Sequence, residues 1–191
     1  MNNYNHLLVL DFDRTLTPVR SILFIAEKLG LIEEVTRILS LNISEREKSV
    51  LIAKCLSGVQ EDTLRSIAEK LPLRPWVRSL LEWGLSNNFY IVVVTLAYDV
   101  VVGSSLKGLP VNAIYAPRLR INKGIISGVD TGSFTPIEKT PWCIECGLCK
   151  RFIVKKLMNS LQISKESTIA IGDGLPDTCV FLETGYSIAI E

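Results

Sequence analysis

The chain has 191 residues, of which 48% are hydrophobic, and its 21 Lys and Arg residues nearly balance its 20 Asp and Glu residues. This composition predicts one packed domain, or a core domain with a smaller insertion, and it disfavours intrinsic disorder. No basic stripe indicates nucleic-acid binding, and Asp99 interrupts the longest apolar stretch, YIVVVTLAYDVVV, below membrane-spanning length. The first residues lack the features of an export signal, so we expect a cytoplasmic protein.

The N-terminal part of the chain predicts a buried strand followed by helices. Residues 6–11 are rich in Leu and Val, as strands of parallel sheets are. From residue 19 to 71 the apolar positions recur every three or four residues with charges between them, which is typical of amphipathic helices. Ser44 and Glu47 predict a capping box at the start of one of them. The expected helical segments are 21–39, 44–58 and 60–71.

The rest of the chain alternates between helices and strands. A hairpin is expected over residues 118–134, with its turn near Asn122, Lys123 and Gly124. The alternation predicts an α/β fold with a doubly wound, Rossmann-like parallel sheet. We expect this core to comprise residues 1–17 and 73–191, with residues 18–72 as a small helical insert after the first strand. The further expected helices are 76–88, 97–107 and 149–163, and the further expected strands are 90–95, 111–116, 167–173 and 186–190.

Polar residues stand at the ends of several predicted elements. Asp11 and Asp13 follow the first strand, Thr95 ends the second, and Lys150 begins a helix. The sequence GDGLPD, residues 172–177, follows a later strand. Because the carboxyl ends of parallel strands lie on one edge of a sheet, we expect four carboxylates, one hydroxyl and one ammonium group to meet there.

This set of groups has the chemistry of a metal-dependent phosphate site. Mg²⁺ prefers oxygen ligands, which Asp11, Asp173, Asp177 and a backbone carbonyl would supply. The hydroxyl of Thr95 and the ammonium of Lys150 are suitable donors to a phosphate group. One carboxylate can then attack phosphorus while another transfers protons.

Two of these assignments have alternatives. Asp177 is also placed to cap the helix that follows it. Lys155 and Lys156 share the predicted helix of Lys150, but we favour Lys150 because the start of that helix faces the strand ends.

The order of these motifs resembles the haloacid dehalogenase superfamily of phosphohydrolases. The motifs are DxDxT at residues 11–15, a Thr at a strand end at 95, a Lys at 150, and GDxxxD at 172–177. The closest resemblance is to the phosphoserine-phosphatase-like branch, which carries a helical cap between its first two motifs. The separation of Lys150 and Gly172 fits the single helix and strand between the corresponding motifs of that branch.

The resemblance implies a role for each motif residue. Asp11 would be the nucleophile that forms an aspartyl-phosphate, and Asp13 would be the general acid and base. Thr95 would bind the phosphoryl group, and Lys150 would neutralise both that group and the nucleophile. The implied ligands of Mg²⁺ are Asp11, Asp13 through its backbone carbonyl, Asp173, and Asp177 as a direct or outer ligand.

The sequence departs from the pattern of that branch at three places. Arg14 follows the second aspartate, where the family often has a small residue, and we expect it to contact substrate or cap. Leu96 follows Thr95 where phosphoserine phosphatases usually carry the first of two glycines, and it is another expected substrate contact. The cap arginine that grips the substrate carboxylate in those enzymes falls near Ala53, beside Lys54. We therefore expect a preferred substrate other than phosphoserine.

The cysteines form a second pattern. The chain has five cysteines, and an odd number in an apparently cytosolic protein disfavours a disulfide framework. Cys143, Cys146 and Cys149 have CxxCxxC spacing, which can bind zinc or an iron–sulfur cluster. Because every candidate for a fourth ligand is remote in sequence, we expect structural or disulfide-bonded thiols and no tightly bound zinc. Trp142, next to this run, is expected to pack in the core or the cap, although it is close enough to the site to line a pocket. The remote candidates for a fourth metal ligand are Cys55, Cys179 and His6.

The sequence therefore predicts a phosphatase that requires Mg²⁺ and acts on a small phosphorylated metabolite, without nucleic-acid or membrane partners. Two alternatives remain open: a phosphotransferase that passes the phosphoryl group to an alcohol, and a non-enzymatic metal-binding regulatory module built on the cysteines. The sequence does not indicate the substrate, the pathway or the oligomeric state. The expected catalytic residues are Asp11, Asp13, Thr95 and Lys150, and the expected substrate-binding residues are Arg14, Thr95, Leu96 and Lys150.

Overall fold

The computed structural model describes residues 4–139 and 143–191, so Trp142 lies outside the described residues. The strands are β1 (His6–Leu10), β2 (Phe89–Val94), β3 (Ala113–Tyr115), β4 (Arg118–Asn122), β5 (Ile125–Asp130), β6 (Thr168–Gly172) and β7 (Tyr186–Ala189). The α-helices are α1 (Ser21–Leu29), α2 (Ile32–Leu39), α3 (Glu45–Cys55), α4 (Glu61–Ala68), α5 (Val77–Ser86), α6 (Asp99–Ser105), α7 (Lys150–Leu161) and α8 (Leu175–Phe181). Within these ranges, no helix has the length and apolar character needed to cross a membrane.

A five-stranded parallel sheet in the order β3-β2-β1-β6-β7 forms the centre of the molecule. The central strand β1 pairs with β2 on one side and with β6 on the other, with Leu8 opposite Ile91 and Val9 opposite Ala170. Its last four residues are fully apolar and buried, because helices cover both faces of the sheet. The prediction of an α/β fold with a Rossmann-like parallel core is confirmed.

The alternation of side chains along β1 divides the core into two layers. Leu8 and Leu10 pack on the face that carries the helices between β1 and β2. Leu7 and Val9 point to the opposite face, where they join a cluster that includes Val154 of α7. This second layer holds α7 against the sheet and so sets where the helix begins.

Four helices, α1 to α4, lie between β1 and β2. The sequence predicted one helix over residues 21–39, and the structure corrects this to two. Gly30 ends α1 with a φ of +71°, a left-handed conformation that glycine adopts at low cost, and the chain then starts α2. The predicted capping box of α3 is present, because Ser44 Oγ accepts from the Glu47 N–H at 3.2 Å and Glu47 Oε2 accepts from the Ser44 N–H at 3.0 Å.

The antiparallel hairpin β4–β5 contacts the helices between β1 and β2. Its turn lies where the sequence pattern placed it, and Lys123 and Gly124 both have positive φ there. The Gly58 N–H donates to the Ile126 carbonyl at 2.9 Å, and the Glu61 N–H donates to the Gly124 carbonyl at 2.8 Å. The hairpin is thus bonded to the region 18–72, and the division of the chain into a core and a cap at those bounds stays a prediction.

Candidate active site

A cavity of about 290 Å³ lies between the carboxyl ends of the central strands and the helices α1 and α3. The segments that follow β1, β2 and β6 contribute to its floor, together with the first residue of α7. Parallel strands bring these segments to one edge, although they are far apart in sequence. All eight residues that the sequence pattern placed in a site line this cavity: Asp11, Asp13, Arg14, Thr95, Leu96, Lys150, Asp173 and Asp177.

Three buried charged residues form the deepest part of this site. Lys150 Nζ donates to Asp11 Oδ1 at 2.5 Å and to Asp177 Oδ1 at 2.7 Å. The exposed fractions are 3% for Lys150, 7% for Asp11 and 4% for Asp177. Charged groups this far from solvent need paired charges, and here one ammonium group serves two carboxylates.

Backbone geometry holds each member of this group in place. The Asp11 N–H donates to the Ile171 carbonyl at 2.9 Å, so the residue continues the pairing of β1 with β6 past the end of the strand. Asp177 Oδ2 accepts from the Gly174 N–H at 3.2 Å, so its side chain also caps α8. Gly172 is required beside it, because a Cβ at that position would overlap the Asp177 carboxyl group. Asp177 therefore caps α8 and also lines the cavity, while its role as a metal ligand stays a prediction.

The pKa values of this group follow from burial and charge. Burial raises the pKa of Asp11 to about 7, although the charge of Lys150 acts in the opposite direction. Burial acts to lower the pKa of Lys150, but the charges of Asp11 and Asp177 outweigh it and raise that pKa, which keeps the ammonium protonated. Two carboxylates thus share one positive charge in a buried place, and a bound cation would neutralise the excess negative charge.

The donor set around this excess charge fits Mg²⁺. Carboxylate oxygens of Asp11, Asp173 and Asp177 lie within 4.8 Å of one another, and no other metal-ligating cluster of this kind occurs among residues 4–139 and 143–191. All three ligand atoms are hard oxygens, which is the donor type that Mg²⁺ prefers. Asp177 uses one carboxylate oxygen for Lys150 and the other for the Gly174 N–H. Asp11 and Asp173 are better placed to act as direct ligands, because Lys150 bonds only Oδ1 of Asp11 and Arg14 pairs only with Oδ2 of Asp173.

The Asp13 carboxylate points away from this cluster, toward the start of α1. Its Oδ1 accepts from the Ser21 N–H at 2.9 Å. Burial raises the pKa of Asp13, and the hydrogen bonds from Ser21 oppose this in part. A carboxyl group with a raised pKa keeps its proton more readily, which suits a proton donor.

Arg14 joins two of the site segments. Its Nε lies 2.9 Å from Asp173 Oδ2, so it pairs with one of the candidate metal ligands. Its backbone has a φ of +58°, a left-handed conformation that costs a non-glycine residue on the order of 1 kcal/mol. Two backbone bonds hold it there, because its N–H donates to the Val19 carbonyl at 3.2 Å and its carbonyl accepts from Arg74 Nη2 at 3.0 Å.

The segment after β2 provides a hydroxyl group and an apolar side chain. Thr95 is buried, its N–H donates to the Tyr115 carbonyl at 3.0 Å, and its Oγ1 accepts from the Ala97 N–H at 3.1 Å. Leu96 lines the cavity next to it. Lys155, the alternative to Lys150, pairs with Glu138 at 3.0 Å and does not line the cavity.

The sequence analysis missed the wall of the cavity that α3 provides. Glu45, Lys48, Ser49 and Ile52 line it, at the spacing of one helical face. Lys48 Nζ pairs with Glu45 Oε1 at 2.9 Å. Ser49 Oγ is buried and has no hydrogen-bond partner among the residues that the structure describes. The helical periodicity of this segment was the signal available, but it did not show which face would meet the cavity.

The two residues of α3 that the sequence analysis compared with the family's substrate-binding arginine do not belong to this wall. Ala53 is fully buried in the core, and Lys54 is exposed on another side of α3. Neither lines the cavity. Neither residue is therefore placed to contact a substrate carboxylate, and the cations between β1 and β2 that line the cavity are Arg20 and Lys48.

A second, much smaller cavity of about 20 Å³ adjoins Lys150. Cys143, Cys146, Cys149 and Cys179 all line it. The cysteines are present as free thiols, and burial raises the pKa of Cys146 to about 12. The sequence analysis treated each candidate for a fourth metal ligand as remote from the CxxCxxC segment. The structure corrects this for one candidate, Cys179, because α8 brings it to the same cavity.

Comparison with known proteins gives this geometry a context. The chain matches the family of haloacid dehalogenase-like hydrolases over residues 8–181. It is 28% identical to a phosphoserine phosphatase of Methanocaldococcus jannaschii, over 99% of this chain and 87% of that protein. It is also 28% identical to a 2-hydroxy-3-keto-5-methylthiopentenyl-1-phosphate phosphatase of Bacillus cereus, over 87% of this chain and 75% of that protein.

Solved structures share the fold. A substrate-bound phosphoserine phosphatase complex superimposes with a TM-score of 0.78 at 20% identity, over 97% of this chain and 85% of that one. A haloacid dehalogenase family hydrolase from Salmonella enterica serovar Typhi superimposes with a TM-score of 0.79 at 17% identity, over 95% of this chain and 61% of that one.

Proposed function

Because the chain belongs to the haloacid dehalogenase-like hydrolases, as a phosphatase of their phosphoserine-phosphatase-like branch, we propose that it hydrolyses a small phosphomonoester through an aspartyl-phosphate on Asp11. The observation that carries this proposal is the buried Asp11 at the end of β1, held by Lys150 and opening onto the cavity. A cavity of about 290 Å³ suits a small metabolite. The relatives that carry phosphatase names support this substrate class.

In the first step, an oxygen of Asp11 attacks phosphorus and the bond from phosphorus to the substrate alcohol breaks. Asp13 donates its proton to the departing alkoxide, which leaves as an alcohol. Lys150 offsets the negative charge of the attacking carboxylate and of the phosphoryl group, and the Thr95 hydroxyl donates to a phosphoryl oxygen. The raised pKa of Asp13 supports its role as the acid.

In the second step, a water molecule attacks the phosphorus of the aspartyl-phosphate and the bond from phosphorus to Asp11 breaks. Asp13, now ionised, takes a proton from that water, so inorganic phosphate leaves and both aspartates return to their starting states. Mg²⁺ would be held by Asp11 and Asp173, with Asp177 behind them, and would supply positive charge to the phosphoryl oxygens.

The helices between β1 and β2 are proposed to act as the cap of this site. Helices α1 and α3 form one wall of the cavity, and the Ser21 N–H at the start of α1 bonds Asp13. A cap so connected would exclude bulk water while the aspartyl-phosphate exists.

Phosphate release from p-nitrophenyl phosphate, measured with Mg²⁺ and after chelation, tests this function. We expect turnover that depends on Mg²⁺ and is abolished in Asp11→Asn, because a neutral amide is a poor nucleophile. Asp62→Asn, an exposed position on α4, is the matched control and should retain the wild-type rate. Near-wild-type hydrolysis by Asp11→Asn would contradict the proposal.

Added alcohols separate hydrolysis from phosphoryl transfer. A hydrolase releases one phosphate for each p-nitrophenolate, whatever alcohol is present. A phosphotransferase instead releases less phosphate than p-nitrophenolate and forms a new phosphate ester. Absence of turnover on every phosphomonoester tested would favour the non-enzymatic regulatory module.

A further inference from the structure

Four of the five cysteines have no task in the proposed hydrolysis, although they adjoin its site. We propose that Cys143, Cys146, Cys149 and Cys179 bind a single Zn²⁺ ion beside the start of α7. This reverses the expectation from the sequence, which rested on the remoteness of any fourth cysteine.

The fold brings these four thiols to one place from two elements. Three come from the segment that leads into α7, with two residues between each and the next, and the fourth comes from α8. All four line the cavity of about 20 Å³. Arg151 of α7 pairs with Glu183 just beyond α8 at 2.5 Å, which fixes the two helices relative to each other. The fourth thiol is therefore held in place by packing and not by sequence spacing.

The chemistry of the donor set favours zinc. Four thiols make a soft site, and Glu138, the one carboxylate in the lining of this cavity, already pairs with Lys155 at 3.0 Å. Tetrahedral Cys₄ coordination is a common form of structural zinc. A cavity of about 20 Å³ has room for one ion, because a single water needs roughly 10–15 Å³ by this measure. A four-iron cluster is larger than that space. The hard oxygens of the aspartate cluster nearby suit Mg²⁺, so the two sites would select different metals.

Binding requires the segment to contract. Within the described ranges only the aspartate cluster has three ligand atoms within 4.8 Å of one another, so the thiols lie further apart than the ligands of one ion. Glu145, between two of the cysteines, has a φ of +49°. The Gly147 carbonyl accepts from the Thr135 N–H at 3.0 Å, and the Cys149 N–H donates to Thr135 Oγ1 at 2.6 Å. These bonds keep the end of the segment near α7 while residues 143–146 close around the ion.

The proposed zinc ion would affect the phosphatase site through the start of α7. Cys149 immediately precedes Lys150, whose ammonium bonds Asp11. A zinc ion with four thiolates has a net negative charge, and the ammonium of Lys150, which lines the same cavity, is the cation nearest to it in sequence. The ion would therefore fix the first turn of α7 and with it the direction of Lys150, which makes it a structural zinc next to a catalytic residue.

Cobalt provides the test, because its bonds to thiolates are visible in the absorption spectrum. Full-length protein is stripped of metal under reducing conditions and titrated with Co²⁺ in excess Mg²⁺, which occupies the oxygen ligands. We expect one equivalent of Co²⁺ to give an intense thiolate-to-cobalt charge-transfer band, and one equivalent of Zn²⁺ to abolish it. Cobalt held by aspartates alone gives no such band.

Cys179→Ser and Cys55→Ser form a matched pair of variants. Cys55 ends α3 and does not line the small cavity. Cys179→Ser should weaken zinc binding by about 100-fold or more, since groups outside the ligand shell already contribute about 10- to 100-fold. Cys55→Ser should bind zinc as the wild type does. Should Cys179→Ser fail to fold, Cys143→Ser removes a ligand from the other end of the site.

Three outcomes would overturn the proposal. They are the absence of the charge-transfer band in the wild type, wild-type zinc affinity in both Cys179→Ser and Cys143→Ser, and a disulfide among the four cysteines in protein purified without reductant. None of these measurements uses phosphate release, so the zinc site and the proposed phosphatase function are tested separately.

Discussion

Asp11 and Asp13 lie two positions apart, yet their carboxylates have different partners. Asp11 bonds the ammonium of Lys150, whereas Asp13 accepts the Ser21 N–H at the start of α1. In the first arrangement the charge of Lys150 favours the ionised form of Asp11 that can attack phosphorus, against the burial that raises its pKa. The second holds a carboxyl group with a raised pKa at the side of the cavity, where a departing alcohol can take its proton.

This difference predicts a partial reaction in Asp13→Asn. With p-nitrophenyl phosphate the leaving group needs no proton, so Asp11 should still be phosphorylated, while attack by water on the aspartyl-phosphate lacks its base. We expect a burst of p-nitrophenolate of up to one equivalent, followed by a steady rate lower by about 100-fold or more. Rapid-mixing absorbance measures both phases, and Asp62→Asn is the control. A steady rate equal to that of the wild type would exclude Asp13 as the base.

Gly172 is the residue whose missing side chain matters most to the site. Gly172→Ala should displace the Asp177 carboxyl group and with it the second partner of Lys150. We expect a loss of about 1–3 kcal/mol in the free energy of unfolding and at least a tenfold fall in kcat. Gly103→Ala is the matched control, because a Cβ at Gly103 in α6 meets nothing within 4 Å. Thermal unfolding measures the loss of stability and steady-state kinetics measure the fall in kcat, each for both variants.

Sequence reasoning identified the residues at the floor of the 290 Å³ cavity but not those of the wall that α3 provides. The floor residues stand at strand ends or the start of a helix, positions that a pattern of strands and helices reveals. Lys48 and Ser49 stand within a helix, where the cavity-facing side depends on how α3 packs against the rest of the molecule. The same limit applies to Cys179, which is 30 residues from Cys149 in sequence and shares its cavity only because α7 and α8 are neighbours.

Among the predicted helices and strands, the main error was a single helix predicted across Gly30, where the structure has two helices. The periodicity of residues 21–39 continues through Gly30 without a change of phase, so it predicted a single helix. The left-handed conformation of Gly30 depends on the next helix packing in a new direction, which the apolar pattern does not specify. The strands were predicted more closely, because a buried parallel strand is a short apolar run with polar ends.

The first residue of α6, Asp99, is bonded to Leu119 of β4, and we expect it to make the stability of the fold depend on pH. Burial raises its pKa, and the hydrogen bond from the Leu119 N–H, at 3.0 Å, opposes this only in part. The unfolded chain has the ordinary pKa of about 3.9, so between that value and the folded pKa the folded state binds more protons. The contribution of Asp99 to the free energy of unfolding is therefore complete below about pH 3.9 and is lost as the pH rises through the folded pKa.

Asp99→Asn keeps an oxygen that can accept from Leu119 but does not titrate. The Tm of the wild type minus the Tm of the variant should therefore fall as the pH rises from about 3.5 to about 6. Thermal unfolding of both proteins across that range measures it, and the other titrating groups cancel because both proteins contain them. A difference that stays constant with pH would show that Asp99 has the same pKa in both states.

For the whole molecule, the composition of the cavity bears on which phosphate ester it accepts. Among the cationic residues that line it, Arg14 pairs with Asp173, Lys48 pairs with Glu45, and Lys150 pairs with Asp11 and Asp177, so each already has an anionic partner. A substrate carboxylate prefers the two-pronged contact of an unpaired guanidinium group, which Ala53 does not supply and which Arg20, the remaining cation of the lining, would have to provide from the start of α1.

We therefore expect phosphoserine not to have the highest kcat/KM in a panel of small phosphomonoesters. The panel should include sugar phosphates and phosphate esters without a carboxylate, assayed by phosphate release at a fixed concentration of Mg²⁺. A clear preference for phosphoserine would contradict this prediction and direct attention to Arg20. In that case Arg20→Met should raise the KM for phosphoserine, while Lys54→Met, on the exposed side of α3, should not.

The order of strands in the sheet has a consequence for how the chain is made. The strand β1 leaves the ribosome first, but its partner β6 lies at residues 168–172. At about 5–20 residues per second, one edge of the run Leu7–Leu10 stays unpaired for roughly 10 to 30 s of synthesis. Pairing with β2 can protect only the other edge during that time. Nascent chains that stall before β6 should therefore depend on chaperones and aggregate without them, and each site is completed only after β6 has been synthesised.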